Sequence, residues 1–366
     1  MKKQFIKTFM PLVSAILIFN ACKKDDVTVV PPGPVQISPA VGEYILSEGG
    51  FGGGNNTRLS YHTNSTGVTV GDFFLQQNPG TGGLGDTGND MIIYGSKLYI
   101  VVNNSNRVTV LNAGNATFIK HISFENPIPK LPRYAAAAKG KVYVSNSDGT
   151  VSVIDTVGLN ITANIPVGSN PEQLAVSGDK LFVTNSGGFN FPNYDSTVSV
   201  INLLTNTAGA KIRVGINPRK IVADNSGNLY VVASGNYGSV PAKIIKINAA
   251  SETVIFSADT AVNTIAWYNN KLYVTNDFAY TGLSSKVRVL STADFRNLSG
   301  SFITDGTVIQ TPYGLDINEE NNDVYITDAK DYTVSGMVFC FDQTGKKKFS
   351  FSVNPGVNPN KVLFKR

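Results

Sequence analysis

One phrase recurs along this chain. Lys-Leu-Tyr-Ile-Val-Val-Asn (97–103) returns as Lys-Val-Tyr-Val-Ser-Asn (141–146), Lys-Leu-Phe-Val-Thr-Asn (180–185) and Asn-Leu-Tyr-Val-Val-Ala (228–233). Lys-Leu-Tyr-Val-Thr-Asn (271–276) and Asp-Val-Tyr-Ile-Thr-Asp (323–328) follow, and a degenerate first copy, Glu-Tyr-Ile-Leu-Ser-Glu (43–48), makes seven. The aromatic of each copy falls at Tyr44, Tyr99, Tyr143, Phe182, Tyr230, Tyr273 and Tyr325, with gaps of 55, 44, 39, 48, 43 and 52 residues. A repeat of that length, rich in β-branched and aromatic residues, predicts β-propeller blades. Because the first copy is weak, six or eight blades are the competing counts.

Each blade is expected to be a four-stranded antiparallel meander, with the repeated phrase as its second strand. A shorter apolar run and a Gly/Asn/Asp turn come before it, as in Leu174 to Asp179, because a two-residue hairpin often needs positive φ. The third and fourth strands come after it, as in Thr150 to Asp155 and Ile161 to Val167. A second repeat marks the seams. Val167-Gly168-Ser169-Asn170-Pro171-Glu172 matches Val214-Gly215-Ile216-Asn217-Pro218-Arg219, and Pro355 to Asn360 is close. Proline suits the start of a first strand, where its missing N–H need not join the ladder.

The two ends predict closure. Val357 to Phe364 reads as a first strand with no blade behind it, and Glu43 to Glu48 as a second strand with no first strand ahead. Paired, they complete the N-terminal blade and remove an exposed sheet edge. The expected fold is all-β: a seven-bladed propeller over residues 42–366, closed by its C-terminal strand.

The remaining N-terminal residues read as an address. Met1 to Lys7 is basic, Met10 to Phe19 is a short apolar run, and Ala21 directly precedes Cys22. That is the pattern of a bacterial lipoprotein signal over residues 1–21, with Cys22 as the lipid anchor. An ordinary secretory signal beside an incidental cysteine is the competing reading. Residues 22–41 carry Pro31, Pro32, Pro34 and Pro39 with no apolar periodicity, and read as a flexible tether. Lys23-Lys24-Asp25-Asp26 resembles the export tag of surface lipoproteins in Bacteroides-like bacteria, with a merely solvated linker as the competing reading.

Charge and cysteine use narrow the function classes. The chain has 31 basic and 26 acidic residues; without Lys2, Lys3 and Lys7 the mature part has 28 against 26. That near-neutral balance gives little support to nucleic-acid or polyanion binding. Cys340 lies in the apolar run Met337 to Phe341 and is expected to be a buried thiol. His62 and His121 are the two histidines, and no CxxC or HExxH spacing predicts a zinc or haem site. No cofactor is expected.

In a propeller, loops entering first strands and loops leaving second strands share one face, around the mouth of the central channel. The first-strand set is aligned as Asp90, Arg133, Glu172, Arg219, Asn263, Tyr313 and Asn360, one per blade. Glu172 is expected to pair with Arg133 or Arg219. The second set inserts aromatics in Gly/Asn loops: Phe189, Phe191 and Tyr194 in blade four, Tyr237 in blade five, Phe278 and Tyr280 in blade six. Such side chains either plug their own blade or present flat faces to a ligand. Neither histidine falls at this mouth, so no serine–histidine machinery is expected. Asp90, Glu172 and Asp328 are the carboxylates that a metal-dependent propeller hydrolase would need, and the matching positions of other blades do not supply more.

The repeated phrases resemble the YVTN/YncE-like seven-bladed propellers. The opening Leu46-Ser47-Glu48-Gly49-Gly50-Phe51, with Leu59-Ser60-Tyr61 and Leu84-Gly85-Asp86-Thr87, is similar to the lipoprotein branch of that family in Bacteroides-like bacteria. Members are labelled surface-layer or cell-surface proteins, and some bind cobalamin for an outer-membrane transporter. The resemblance implies a monomeric, surface-exposed outer-membrane lipoprotein. It would bind a small ligand, a corrinoid or a glycan, and pass it to a TonB-dependent transporter. A structural or adhesive surface protein is the alternative.

Overall fold

The computed structural model describes residues 41–125, 127–276, 286–298 and 300–365. Seven antiparallel sheets follow one another along the chain as blades of a propeller. Each repeated phrase forms the second strand of its blade: Gly42–Ser47, Lys97–Val102, Lys141–Asn146, Lys180–Asn185, Asn228–Ala233, Lys271–Thr275 and Asp323–Asp328. Six sheets have four strands; blade six shows three among the described residues, Thr264–Tyr268, Lys271–Thr275 and Val287–Ser291. Its bridge between Leu290 and Asn297 lies where a fourth strand would run.

The C-terminal strand Pro359–Lys365 pairs antiparallel with Gly42–Ser47, placing Val362 opposite Ile45 and Leu363 opposite Tyr44. The N-terminal blade therefore takes its innermost strand from the other end of the chain, as the sequence predicts. The strand begins at Pro359 rather than Val357, because Lys347–Val357 is the outer strand of blade seven.

Why the phrase repeats is plain from where its residues go. A strand's side chains alternate between two faces, and a second strand has a neighbouring blade on each side. Val142 and Val144 pack toward blade two beside Tyr99, whereas Tyr143 packs toward blade four beside Leu181 and Val183. The described core thus consists of seven buried clusters, one at each joint between blades. Four of the tyrosine hydroxyls then reach out of these clusters. Tyr44 Oη donates to the carbonyl of Ala113 (3.0 Å), Tyr143 to Asn206 (2.8 Å), Tyr273 to Gln343 (2.9 Å) and Tyr325 to Glu43 (2.7 Å), each in the following blade.

The Asn-Pro seam has an equally local cause. Asn170, Asn217 and Asn358 all take left-handed backbone, at φ 44°, 59° and 55°, a region that asparagine tolerates better than most residues. Their carbonyls accept from Ser186, Ser234 and Glu48, the first residues of the loops leaving the second strands. The two loop sets are thereby tied together on one face. Cys340 is fully buried, and burial pushes its thiol up to about 12. A short helix, Phe73–Gln77, follows blade one and inserts Phe74 into the first joint; the repeat pattern does not foresee it.

Candidate functional site

The first strands line a central cavity of about 1340 Å3 that runs from the mouth, at Arg219 and Tyr313, to turns at the far face, at Asn225 and Glu319. This exceeds the few hundred Å3 of a small ligand pocket. In six of the seven first strands the ladder slips just after the first residue, as between Pro218 and Lys220, whereas Thr264–Tyr268 of blade six pairs in continuous register. Such a bulge leaves residues unpaired and re-aims their side chains, so the first and second residues after the frame proline both meet the channel.

That slip corrects one alignment. Gly88 stands opposite Val102 as Pro218 stands opposite Ala233, so the residue of blade two equivalent to Arg219 is Asn89, not Asp90. Glycine in place of proline removed the marker that fixes the count. Asp90 is the second residue, equivalent to Lys220. It is buried and accepts from the backbone N–H of Ala135 (3.0 Å); burial raises its pKa against that bond and the charge of Lys361.

Of the predicted site residues, Asp90, Arg133, Arg219, Tyr237, Asn263 and Tyr313 line the cavity. Glu172 pairs with Arg133, accepting on one oxygen from Nη2 (2.8 Å) and Nε (3.1 Å). Arg219 instead donates to Tyr237 Oη (3.2 Å). Burial works against the Arg219 charge, but Glu172 and Tyr237 outweigh it and raise its pKa. Tyr237 continues outward through edge contacts to Tyr194 (6.4 Å) and from Tyr194 to Phe191 (6.0 Å). Phe189 and Phe191 stand 75% and 73% exposed outside the cavity. Asn360 donates to the carbonyls of Gly88 and Asn89, bracing the channel. Phe278 and Tyr280, and Cys22, expected from the sequence to carry a lipid, lie outside the described residues.

Reading one residue per blade misses the second ring. Tyr134, Lys220 and Lys361 stand at the second position, and all line the cavity. Lys220 reaches from blade five to blade three, with Nζ 2.8 Å from Tyr134 Oη and 4.6 Å from its ring centroid. Lys361 pairs with Asp316 at 2.6 Å. On the opposite rim Tyr313 donates to Glu48 and meets Tyr332 edge-on at 6.1 Å. Burial raises the pKa of Glu48, against the Tyr313 bond.

Tyr237 and Tyr332 occupy matching places in the loops of blades five and seven, and both have left-handed backbone, at φ 57° and 68°. For a bulky residue this costs about 1–2 kcal/mol. Each is held by a preceding side-chain turn. Asn236 Oδ1 accepts from the N–H groups of Gly238 and Val240, and Asp331 Oδ1 from those of Thr333 and Val334. Each tyrosine thereby meets the first-position residue of its own blade, Arg219 or Tyr313.

Both histidines and Asp328 are engaged in contacts of their own. His62 stacks on Phe351 at 3.9 Å, and His121 contacts Thr109 at 3.0 Å on the outer strands of blade two. Asp328 accepts from the N–H groups of Gln310, Thr311 and Lys330. Among the described residues no three His, Cys, Asp or Glu side chains are grouped to hold a metal ion. What the arrangement offers is a deep, polar, partly cationic channel with aromatic rims.

The fold is shared with distant solved structures. One is a quinonprotein alcohol dehydrogenase-like protein from Bacteroides thetaiotaomicron, at 16% identity and TM-score 0.63, covering 89% of this chain and 79% of that one. Another is hydrazine synthase from Kuenenia stuttgartiensis, at 17% identity and TM-score 0.57, covering 70% of this chain and 76% of that one. The computationally designed protein Ika8 aligns at 13% identity and TM-score 0.57, covering 88% of each chain. No curated protein matches the chain. The sequence profile described as "Domain of unknown function (DUF5074)" matches residues 41–365, the whole propeller, and the chain belongs to that family.

Proposed function

We propose that this protein is a binding propeller that captures a small ligand at the mouth of its channel. The observation that carries this reading is the cavity of about 1340 Å3, rimmed by the Arg219–Tyr237 pair on one side and Tyr313–Tyr332 on the other. Both rims combine flat apolar faces with hydrogen-bonding tips, the mixture that grips a planar or ring-shaped polar molecule. Tyr237 and Tyr332 keep their unfavourable backbone at the rim itself, and strain of that kind gathers at ligand clamps.

A corrinoid is the specific ligand, on the family resemblance; a glycan is the second. Anchored through Cys22 on the outer membrane and facing outward, the propeller would pass its ligand to a TonB-dependent transporter. The reading is of a binder and not an enzyme, and it is supported by the engagement of Asp90, Glu172 and Asp328 in bonds within the protein. Calorimetric titration of the chain lacking residues 1–21 with cyanocobalamin tests the corrinoid. Heat of binding with a raised Tm supports it, and neither effect removes it.

An adhesive role has one observation in its favour: Phe51, Phe189 and Phe191 are 83%, 75% and 73% exposed. If these rings serve partner contacts, replacing all three by serine abolishes cell-surface adhesion and leaves corrinoid titration unchanged.

A further inference from the structure

Second strands in several blades end on asparagine, and blades three and four show what it does there. Asn146 donates to Thr150 Oγ1 (3.1 Å) and Ser152 Oγ (2.9 Å), and Asn185 to Thr197 Oγ1 (2.9 Å) and Ser199 Oγ (3.0 Å). The hydroxyls sit on the third strand, one directly opposite the asparagine and one two residues on.

Blade six keeps the asparagine and changes both partners. Asn276 lies opposite Lys286, to whose carbonyl its backbone N–H donates, and two residues on is Arg288. Two hydroxyls are thus replaced by two cations. Asn276 is 1% exposed and lines the cavity, and neither its Nδ2 nor its Oδ1 has a hydrogen-bond partner. Arg288, 8% exposed on the same wall, spends Nη2 on the carbonyl of Ala261 (2.7 Å) and leaves Nε unpartnered. Lys286 donates to the carbonyl of Gln310 and adds its charge beside them.

Buried polar groups without partners are costly, and a native fold that retains them where its own repeat offers a remedy needs a reason. The location supplies one. At the other six joints a side chain of one first strand bonds the next, as Gln173 does by accepting from the N–H of Ile221. Among the described residues no first-strand side chain of blade five bonds the first strand of blade six, and the cavity extends into that joint along Thr260 and Ala261.

We propose that this wall is a subsite for an oxyanion, a carboxylate or phosphate carried by a small molecule. Asn276 Nδ2 and Arg288 Nε supply the donors, Lys286 and Arg288 the charge, and Asn276 Oδ1 accepts from a neighbouring hydroxyl or N–H of the ligand. The inference rests on reading the channel as a ligand site, and it names the chemical group that one wall takes.

The test titrates the chain lacking residues 1–21 with inorganic phosphate, glucuronate and glucose. At least one anion binds and raises Tm, glucose does not, and the tighter anion tells phosphate from carboxylate. Asn276→Leu weakens that anion about tenfold or more. It also raises Tm, because it removes a buried amide that nothing satisfies. Asn146→Leu lowers Tm and leaves anion affinity alone. Arg288→Gln weakens the anion as Asn276→Leu does. Failure of both anions to bind, glucose binding as tightly as glucuronate, or an unchanged anion affinity in Asn276→Leu overturns the proposal. Cyanocobalamin titrated in parallel keeps the two ideas separate: anion binding without corrinoid binding removes only the corrinoid.

Discussion

Glu43 shows how one residue couples closure to pH. It is fully buried on the N-terminal blade and accepts from Tyr325 of blade seven. Burial raises its pKa above the ordinary 4.5, against the Tyr325 bond. The folded state therefore holds this proton more firmly than the unfolded chain. The associated stability is full below 4.5 and is lost as pH rises through the raised value. Glu43→Gln keeps the acceptor for Tyr325 without the charge. Its Tm should exceed that of the unaltered chain at pH 8 and coincide with it at pH 4; thermal melts across that range check the sign. Tyr237 offers a complementary residue-scale test. Tyr237→Gly relieves a left-handed backbone that costs about 1–2 kcal/mol and removes the ring that meets Arg219. Tm should hold or rise while ligand affinity falls, a split that a merely structural tyrosine would not show.

At the scale of the element, the second strand is the most constrained piece of the blade because it is buried on both faces. In four blades its tyrosine does two jobs, filling one joint and bonding the following blade. Tyr143→Phe keeps the first and loses the bond to Asn206, and should cost about 1 kcal/mol in a urea melt. The C-terminal strand carries more. Val362 is 1% exposed and faces Ile45 in the cluster that joins blades seven and one. Val362→Asp places an unpaired charge there and should cost several kcal/mol. Because it also exposes the edge of Gly42–Ser47, aggregation is expected to accompany unfolding, and light scattering during the melt would record it.

For the whole molecule, the ring distributes its core over seven joints, and the side chains at the channel wall brace most of them. Arg133 with Glu172, Asn360 with Gly88, and Lys361 with Asp316 belong to this bracing as much as to any ligand site. Removing one of them should therefore lower both stability and affinity, whereas changes at Tyr237 or Asn276 should separate the two. The proposed lipid anchor at Cys22 makes its own prediction at this scale. Cys22→Ser should move the protein from the membrane to the soluble fraction of a Gram-negative host, with the melting curve of the propeller unchanged.

Much of this was legible in the residues, because each second strand has the same two-sided environment and must satisfy it with the same alternation. The phrase around Tyr99, Tyr143 and Tyr273 therefore repeats, the blades can be counted, and the orphan strands at the two ends can be matched. The pairing of Glu172 with Arg133 was legible as one of two choices. The second ring of Tyr134, Lys220 and Lys361 was not, because the bulge that turns it toward the channel leaves no mark in composition or period. Nor was the displacement of Asp90 by Asn89, since Gly88 carries none of the proline's signal. Local pattern determines which strands form, since each residue reports its own burial. Which side chains meet across the channel, as Lys220 meets Tyr134, was decided only by closure of the ring, which brings together residues that share no local signal.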